Sequence, residues 1–314
     1  MPKVSVIIPV YGVEKYIERC ARSLFEQTLD DMEYLFVDDC TPDNSIEVLK
    51  RVLADYPQRS SQVTIHRMER NSGQAKVREW GIRNATGDFV IHCDSDDWVD
   101  RDLYRLLYEK AMESGSDMVV CDYYEAFEDH KQHVVGCRSL EKEQLIKNFC
   151  TLRCSCSVWN KLIKTALFRD EHLVFPQGNM GEDMVLTMQI ALKTDKVAYV
   201  PKPLYYYFCN PLSITQTYTE EVVCEKFKQL KSNAEILFSV FDKAGLTHQY
   251  QKELLYVKYE VRWCLWPITK SRPYRKLWRQ TYPELFPAIL FSPYIDAKQK
   301  AIFLLTYLGV YPRH

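Results

Sequence analysis

Three observations predict an α/β protein with a mostly parallel sheet flanked by helices and a helical C-terminal region. Short β-rich apolar runs alternate with segments of helical period through the first hundred residues. That alternation fades beyond Cys121. From Thr219 onward Val223, Phe227, Leu230, Ala234, Leu237 and Phe241 recur at spacings of four, three, four, three and four, the mark of a helix with one buried face.

The elements follow in order. Val4 to Val10 is a β-rich run closed by Pro9 and Gly12, and Val13 to Leu29 carries Ile17, Cys20, Ala21, Leu24 and Phe25 on one helical face. Tyr34 to Val37 is a second buried strand ending in Asp38-Asp39. Thr41-Pro42 is expected to open the next helix, with Ile46, Leu49 and Leu53 as its stripe, because proline suits a first helical turn. Val63 to Met68 reads as a strand, Gln74 to Ala85 as a helix and Phe89 to Cys93 as a fourth strand. Asp117 to Cys121 is a further strand, after which come a helix near Leu140 to Phe149, the apolar-rich Val158 to Phe168, a helix over Glu182 to Lys193 and a strand at Tyr205 to Phe208.

The 314 residues suffice for one large domain with an appendage, or for two domains. A formal net charge of -1 with 26% charged residues offers no global pull toward nucleic acid. The run Val4 to Pro9 is too short for a secretory segment and no apolar stretch approaches the roughly 18 residues that span a bilayer, so a cytoplasmic location is expected. The eleven cysteines are scattered and odd in number, and are expected to be reduced. Cys150, Cys154 and Cys156 have no fourth Cys or His at ligand spacing nearby, so a zinc knot is not expected.

The fourth strand delivers CDSDDWVD, which sets Asp94, Asp96, Asp97 and Asp100 within seven positions. Ligands of such sheets gather beyond the carboxyl ends of the strands, so Asp38-Asp39 and Asp94/Asp96 are expected on one rim. If the segment is extended, Asp94 and Asp96 share a face about 6 to 7 Å apart, where a hard divalent cation with oxygen ligands relieves their repulsion. The competing reading makes Asp96, Asp97 and Asp100 caps for the following helix. The glycine fingerprint of a dinucleotide-binding turn is absent, with only Gly12 near the first turn, and so is a Walker loop. An aspartyl phosphatase places its acidic pair after the first strand, and a phospho-receiver domain is far shorter.

VSVIIPVY, the strand ending VDD, NSGQAKVREWG, GDFVIHCDSDD and the later GEDM occur in an order that resembles a family 2 glycosyltransferase of the GT-A, Rossmann-like fold. The resemblance spans about residues 1 to 215, and the segments WNKL and PLYYYF are similar to a bacterial branch that builds surface polysaccharides and glycolipids. It implies an inverting, metal-dependent transfer from a nucleotide-sugar donor, a UDP-sugar by preference, to a saccharide or lipid-linked acceptor, with Mn²⁺ or Mg²⁺ as cofactor. Pro9, Tyr11 and Glu14 then border the base, and Asp39, or its neighbour Asp38, bonds the uracil. Arg78 lies near base and diphosphate, Asp94 meets ribose or sugar hydroxyls, and Asp96 holds the metal. Asp183 of the Glu182-Asp183 pair is the general base, and Asp97 is set toward the acceptor. The implied organisation is a donor half at 1–100, an acceptor half at 101–215 and helices over 216–314.

This sequence departs from the family pattern at Gly12, at Cys40-Thr41-Pro42-Asp43 and at Glu79, all beside the expected nucleotide. A nucleotidyltransferase is the nearest rival, but VIIPVYGVEKY lacks its glycine-rich basic loop. A non-catalytic sugar-nucleotide binder is the second, opposed by the joint presence of Asp94, Asp96, Glu182 and Asp183. Between Arg262 and Gln280, six basic residues and the aromatics Trp263, Trp266, Tyr274 and Trp278 occur with no acidic residue. Such a stretch is expected to lie on a membrane at the inner face or to pack at a protein interface, and an oligomer is compatible with it.

Overall fold

The computed structural model describes residues 1–209 and 219–310. The first hundred residues run β1 (Val4–Val10), α1 (Ile17–Phe25), β2 (Met32–Asp38), α2 (Ser45–Ala54), β3 (Val63–Arg67), α3 (Gln74–Asn84), β4 (Phe89–His92) and the two-residue β5 (Trp98–Val99). Next come α4 (Leu103–Ser114), β6 (Met118–Ala126), β7 (Lys131–Val134), α5 (Lys142–Cys150), β8 (Lys161–Lys164), α6 (Thr165–Phe168), α7 (Glu182–Lys193) and β9 (Val197–Phe208). The C-terminal helices are α8 (Glu220–Lys243), α9 (Gln251–Trp263), α10 (Arg272–Gln280), α11 (Leu285–Ala288) and α12 (Ala297–Leu308).

Among the described residues the strands form one sheet in the order β3-β2-β1-β4-β8-β6-β9-β5, with β7 on the side of β6. The first four are parallel, as their short buried runs predict. The remainder is mixed: β8 runs antiparallel to both β4 and β6, and β5 antiparallel to β9. Connections lead outward from β1 through β2 to β3, then return to β4 on the other side of β1. Loops after β1 and β4 therefore diverge over a switch point, the place where such sheets open a ligand crevice.

Each face of the sheet has its own apolar core. Ile17, Leu24, Leu49 and Leu107 from α1, α2 and α4 fill one. Ile82, Phe149 and Leu186 fill the other, continuous with Leu237, Trp278 and Phe303 of the C-terminal helices. The C-terminal region expected to stand separately is thus packed onto the sheet domain through α5 and α7. Helix α2 starts at Ser45 instead of at Thr41-Pro42, because Thr41 Oγ1 and Ser45 Oγ both donate to Asp43 Oδ1 and hold a tight turn ahead of the helix.

The basic, aromatic stretch after Arg262 divides between interior and surface. Arg262 and Trp278 are both 0% exposed, with the guanidinium 3.8 Å from the indole ring and 4.7 Å from Phe303. Burial lowers the Arg262 pKa to about 10. Trp263 stacks on Trp266 at 5.1 Å, while Arg272, Lys276 and Arg279 face solvent. Trp278 therefore cannot anchor the chain in a lipid interface, whereas Trp263, Trp266 and Tyr274 are partly exposed. Among the described residues no helix is long and apolar enough to cross a membrane.

Candidate active site

The acidic segment after β4 is a turn, not an extended strand: the Asp97 amide donates to the Asp94 carbonyl at 3.1 Å. This replaces the expected alternation of Asp94 and Asp96 with a reversal that aims the two side chains from one hairpin-like bend. The capping alternative survives for Asp100 alone, whose Oδ1 accepts the Asp102 amide at 3.0 Å ahead of α4. Ser95 Oγ donates to the Pro9 carbonyl at 2.6 Å and ties the turn to β1.

Four carboxylates of the segment have four environments. Asp94 Oδ1 accepts from Arg78 Nη2 at 2.6 Å and from Gln74 Nε2 at 3.2 Å. Asp96 has no salt bridge among the described residues, and burial, followed by the nearby Asp94 charge, raises its pKa to about 6. Asp97 is 0% exposed, with Oδ2 accepting from the Tyr205 hydroxyl at 2.6 Å and Oδ1 from the Phe208 amide at 2.7 Å. It stands behind the rim as an internal anchor, and the position expected to meet the acceptor is enclosed. The Tyr205 hydroxyl also accepts the Asp94 amide at 3.0 Å, and its ring stacks on Trp159 at 4.3 Å. The WNKL and PLYYYF segments thus support the acidic turn from beneath. Trp98 packs structurally, under the Arg19 guanidinium at 3.7 Å.

The second acidic pair shapes the same rim. Asp39 accepts the Ser72 and Gly73 amides at 2.7 and 2.8 Å, drawing the loop before α3 against β2. Buried Asp38 accepts the Thr41 amide at 2.7 Å and faces Arg67 at 3.4 Å. Glu14 accepts the Asn44 amide and its side-chain nitrogen, each at 3.1 Å, so it also closes the start of α2. Tyr11 is 51% exposed above this surface. Gly12 adopts φ +69° and donates its amide to Thr41 Oγ1 at 2.9 Å, a left-handed bend that suits glycine better than a larger residue.

The expected connection between Arg78 and the rim takes an unforeseen form. Arg78 is 3% exposed and bridges Asp94 and Glu182, whose positions lie 104 apart for the second pair. Glu182 Oε2, Arg78 Nε and both ring nitrogens of His92 are buried without hydrogen-bond partners in the described structure. Burial, with Arg78 nearby, holds His92 well below its ordinary pKa, so the imidazole is neutral. Asp183 instead bonds locally, accepting the Met184 amide at 2.8 Å, and lines a cavity of about 570 Å³ with Tyr123, Arg138, Arg153 and Val257.

Sequence reading missed what places Asp183. Asn233 of α8 donates to the Gly178 and Met180 carbonyls, each at 2.8 Å, and Gln229 Oε1 accepts the Asn179 and Met180 amides at 3.0 and 3.2 Å. Asn179 Oδ1 in turn accepts the Ala75 amide at 3.1 Å. The loop entering α7 is therefore held between the C-terminal region and the start of α3. The polar positions Gln229 and Asn233 inside an otherwise amphipathic helix were the available signal.

Asp94 and Asp96 supply hard oxygen donors, and the Asp94 charge still raises the Asp96 pKa although Arg78 meets Asp94, a fit for a divalent cation. Among the described residues no group of three or more His, Cys, Asp or Glu could hold a metal, so water and ligand oxygens must complete such a shell.

The model of glycosyl transferase family 2 matches residues 5–168. The glycosyltransferase GlyA of Streptococcus pneumoniae is 32% identical over 235 residues, covering 70% of this chain and 32% of GlyA, so the chain spans about a third of that relative. The crystal structure of Staphylococcus aureus TarS 1-349 with UDP-GlcNAc aligns at TM-score 0.62 and 20% identity, over 99% of this chain and 93% of that one. A mannosyltransferase from Pyrobaculum calidifontis, solved with GDP-Man and Mn²⁺, aligns at TM-score 0.57 and 16% identity, over 98% and 86%. With the sheet order and the acidic rim, these matches establish that the chain belongs to glycosyl transferase family 2 and has the GT-A fold.

Proposed function

We propose that this protein transfers a sugar from a nucleotide-sugar donor, a UDP-sugar by preference, to a hydroxyl of a saccharide or lipid-linked acceptor, with inversion at the anomeric carbon. The observation that carries the reading is the convergence of Asp39, Asp94 and Asp96 on one rim with Asp183 at the edge of an adjoining cavity. Donor-bound neighbours of the same fold support the nucleotide-sugar class. Pro9, Tyr11 and Glu14 border the base, and the loop gathered by Asp39 forms its wall. Asp94 and Asp96 would hold Mn²⁺ or Mg²⁺, which supplies Lewis-acid neutralisation of charge on the departing diphosphate. Arg78 fixes Asp94 toward the donor while neutralising Glu182. Asp183 takes the proton of the attacking hydroxyl. One base and one displacement at the opposite face of the sugar give inversion. Surface-polysaccharide or glycolipid synthesis at the inner membrane face is the setting proposed, with Arg272, Lys276 and Arg279 as the exposed contact to anionic lipid.

UDP release across a panel of UDP-sugars, with and without acceptor, tests the reading. Asp183→Asn is expected to preserve UDP binding and slow acceptor-dependent release about 10²-fold or more. Asp96→Ala is expected to abolish any strengthening of UDP binding by Mn²⁺. Normal turnover in Asp183→Asn refutes the base assignment, and equal UDP affinity with EDTA and Mn²⁺ in the unaltered protein refutes the metal role.

A further inference from the structure

We infer that the cavity beside Asp183 is the acceptor site, and that it selects an acceptor carrying an anionic group next to an apolar segment. This rests on the proposed transfer reaction. The cavity, about 570 Å³, lies between the sheet domain and helices α8 and α9. Its walls include Val134, Leu152, Met184, Leu230, Val257 and Val261, an aliphatic surface with little to hydrogen-bond a bare sugar. Arg138 and Arg153 also line it, and both are exposed. Among the described residues some surface arginines are matched to carboxylates, Arg22 to Glu18 and Asp55 and Arg105 to Asp102 and Glu109, whereas others such as Arg70 and Arg101 are not; what sets Arg138 and Arg153 apart is their place on the wall of an apolar cavity. Arg138 and Arg153 form no ion pair with any described residue, and Arg153 instead lies 5.2 Å from the Tyr294 ring.

The mouth carries a second mark of selection. Leu152 has φ +55° just after α5, where a helix end ordinarily uses glycine, and its side chain is 51% exposed. The left-handed backbone costs a non-glycine residue stability, and here it sets an aliphatic side chain beside Arg153 at the cavity edge. Glu260 is the other carboxylate of the lining besides Asp183. Burial raises the Glu260 pKa, and both carboxyl groups are less exposed than the two guanidinium groups, which are the charges the cavity presents at its mouth. Arginine recognises phosphate and carboxylate through paired N–H donors, whereas the aliphatic walls gain by covering an alkyl stretch. A phosphate beside an apolar chain satisfies both features while leaving a neighbouring hydroxyl for Asp183.

Calorimetry on the full chain without donor tests this with three probes: octyl phosphate, octyl glucoside and glycerol 3-phosphate. Octyl phosphate is expected to bind at least about tenfold more tightly than either other probe, consistent with one charge-assisted contact. Arg138→Ala/Arg153→Ala is expected to remove that advantage without unfolding the protein, because both side chains are exposed; Arg138→Lys/Arg153→Lys is expected to retain part of it. Asp183→Asn removes a negative charge from the lining and is expected to bind octyl phosphate at least as tightly as the unaltered protein, so the pocket is judged separately from transfer. Equal binding of octyl glucoside and octyl phosphate, or an unaltered preference in the double alanine variant, overturns the anionic selection. Equal binding of glycerol 3-phosphate and octyl phosphate overturns the apolar part and assigns the phosphate to a polyol-phosphate chain.

Discussion

Arg78→Met should destabilise the protein sharply, because it removes the cation that, among the described residues, meets both Asp94 and buried Glu182. Methionine fills much of the same volume, so the dominant effect is an uncompensated carboxylate in the interior. Breaking a buried pair from one side costs about 3 to 5 kcal/mol, with the larger share here at Glu182 because Asp94 borders solvent. Glu182→Leu alone leaves Arg78 its bond to Asp94 and should cost about 2 kcal/mol. The double variant Arg78→Met/Glu182→Leu no longer buries an unpaired charge at that position, so it should recover about 2 kcal/mol relative to the sum of the single effects. Urea unfolding of the four proteins, with unchanged denaturant slopes, measures the cycle. A single Arg78→Met effect below about 1 kcal/mol, or additivity within about 0.5 kcal/mol, refutes the claim that this ion pair couples the donor rim to α7.

Further outcomes follow from the geometry. Gly73 has φ +83° and an added Cβ meets Asn179 at 2.6 Å, so Gly73→Ala should cost about 1 to 2 kcal/mol and lower transfer more than UDP binding, as read by unfolding and by a KM-against-kcat comparison. Fully buried Lys161 donates to Ser155 O, Ser157 O and Asn160 Oδ1, with Cys156, Asp183, Cys154 and Cys121 around it, and burial lowers its pKa to about 8. Between pH 8 and 10.5 the unfolded chain holds more protons at this site than the folded one, so stability contributed there rises with pH, by up to about 3 kcal/mol. Lys161→Met should lack that rise in parallel denaturation series. If basic residues on α10 attract a membrane, full-length protein should float with anionic vesicles at low salt and separate from them at high salt, while Trp278→Phe should not alter flotation because Trp278 is buried.

The readable parts of this fold have local causes. Strands β1, β2 and β4 are short, mostly apolar and almost wholly buried runs, and α8 repeats its buried side at helical spacing. Helix α4 also carries Leu103, Tyr104, Leu107 and Ala111 on its buried side, but the acidic cluster directly before it dominated that region of sequence. β5 has only two residues, and β7 is the polar run Lys-Gln-His-Val, so neither displays a measurable strand period. The principal carboxylates stood out because they follow strands. Their partners did not: the Arg78 bridge joins residues separated by 104 positions, and the Gln229 and Asn233 contacts depend on how α8 folds back over α7. From the sequence, Asp96 is expected to hold the metal and Asp97 to face the acceptor, yet Asp97 is sealed against Tyr205 while Asp96 borders the rim.

The hold of α8 on the loop at 178–181 also sets an order of events at the ribosome. The strands and acidic turn of the donor rim emerge first, and the sheet can assemble around them before the last third of the chain has been made. Gln229 and Asn233 follow about fifty residues behind the loop they secure. A nascent chain can therefore form the strands and acidic turn of the rim while the segment bearing Asp183 still lacks its lock. On the proposed reaction, that timing would separate donor capture from competence to transfer.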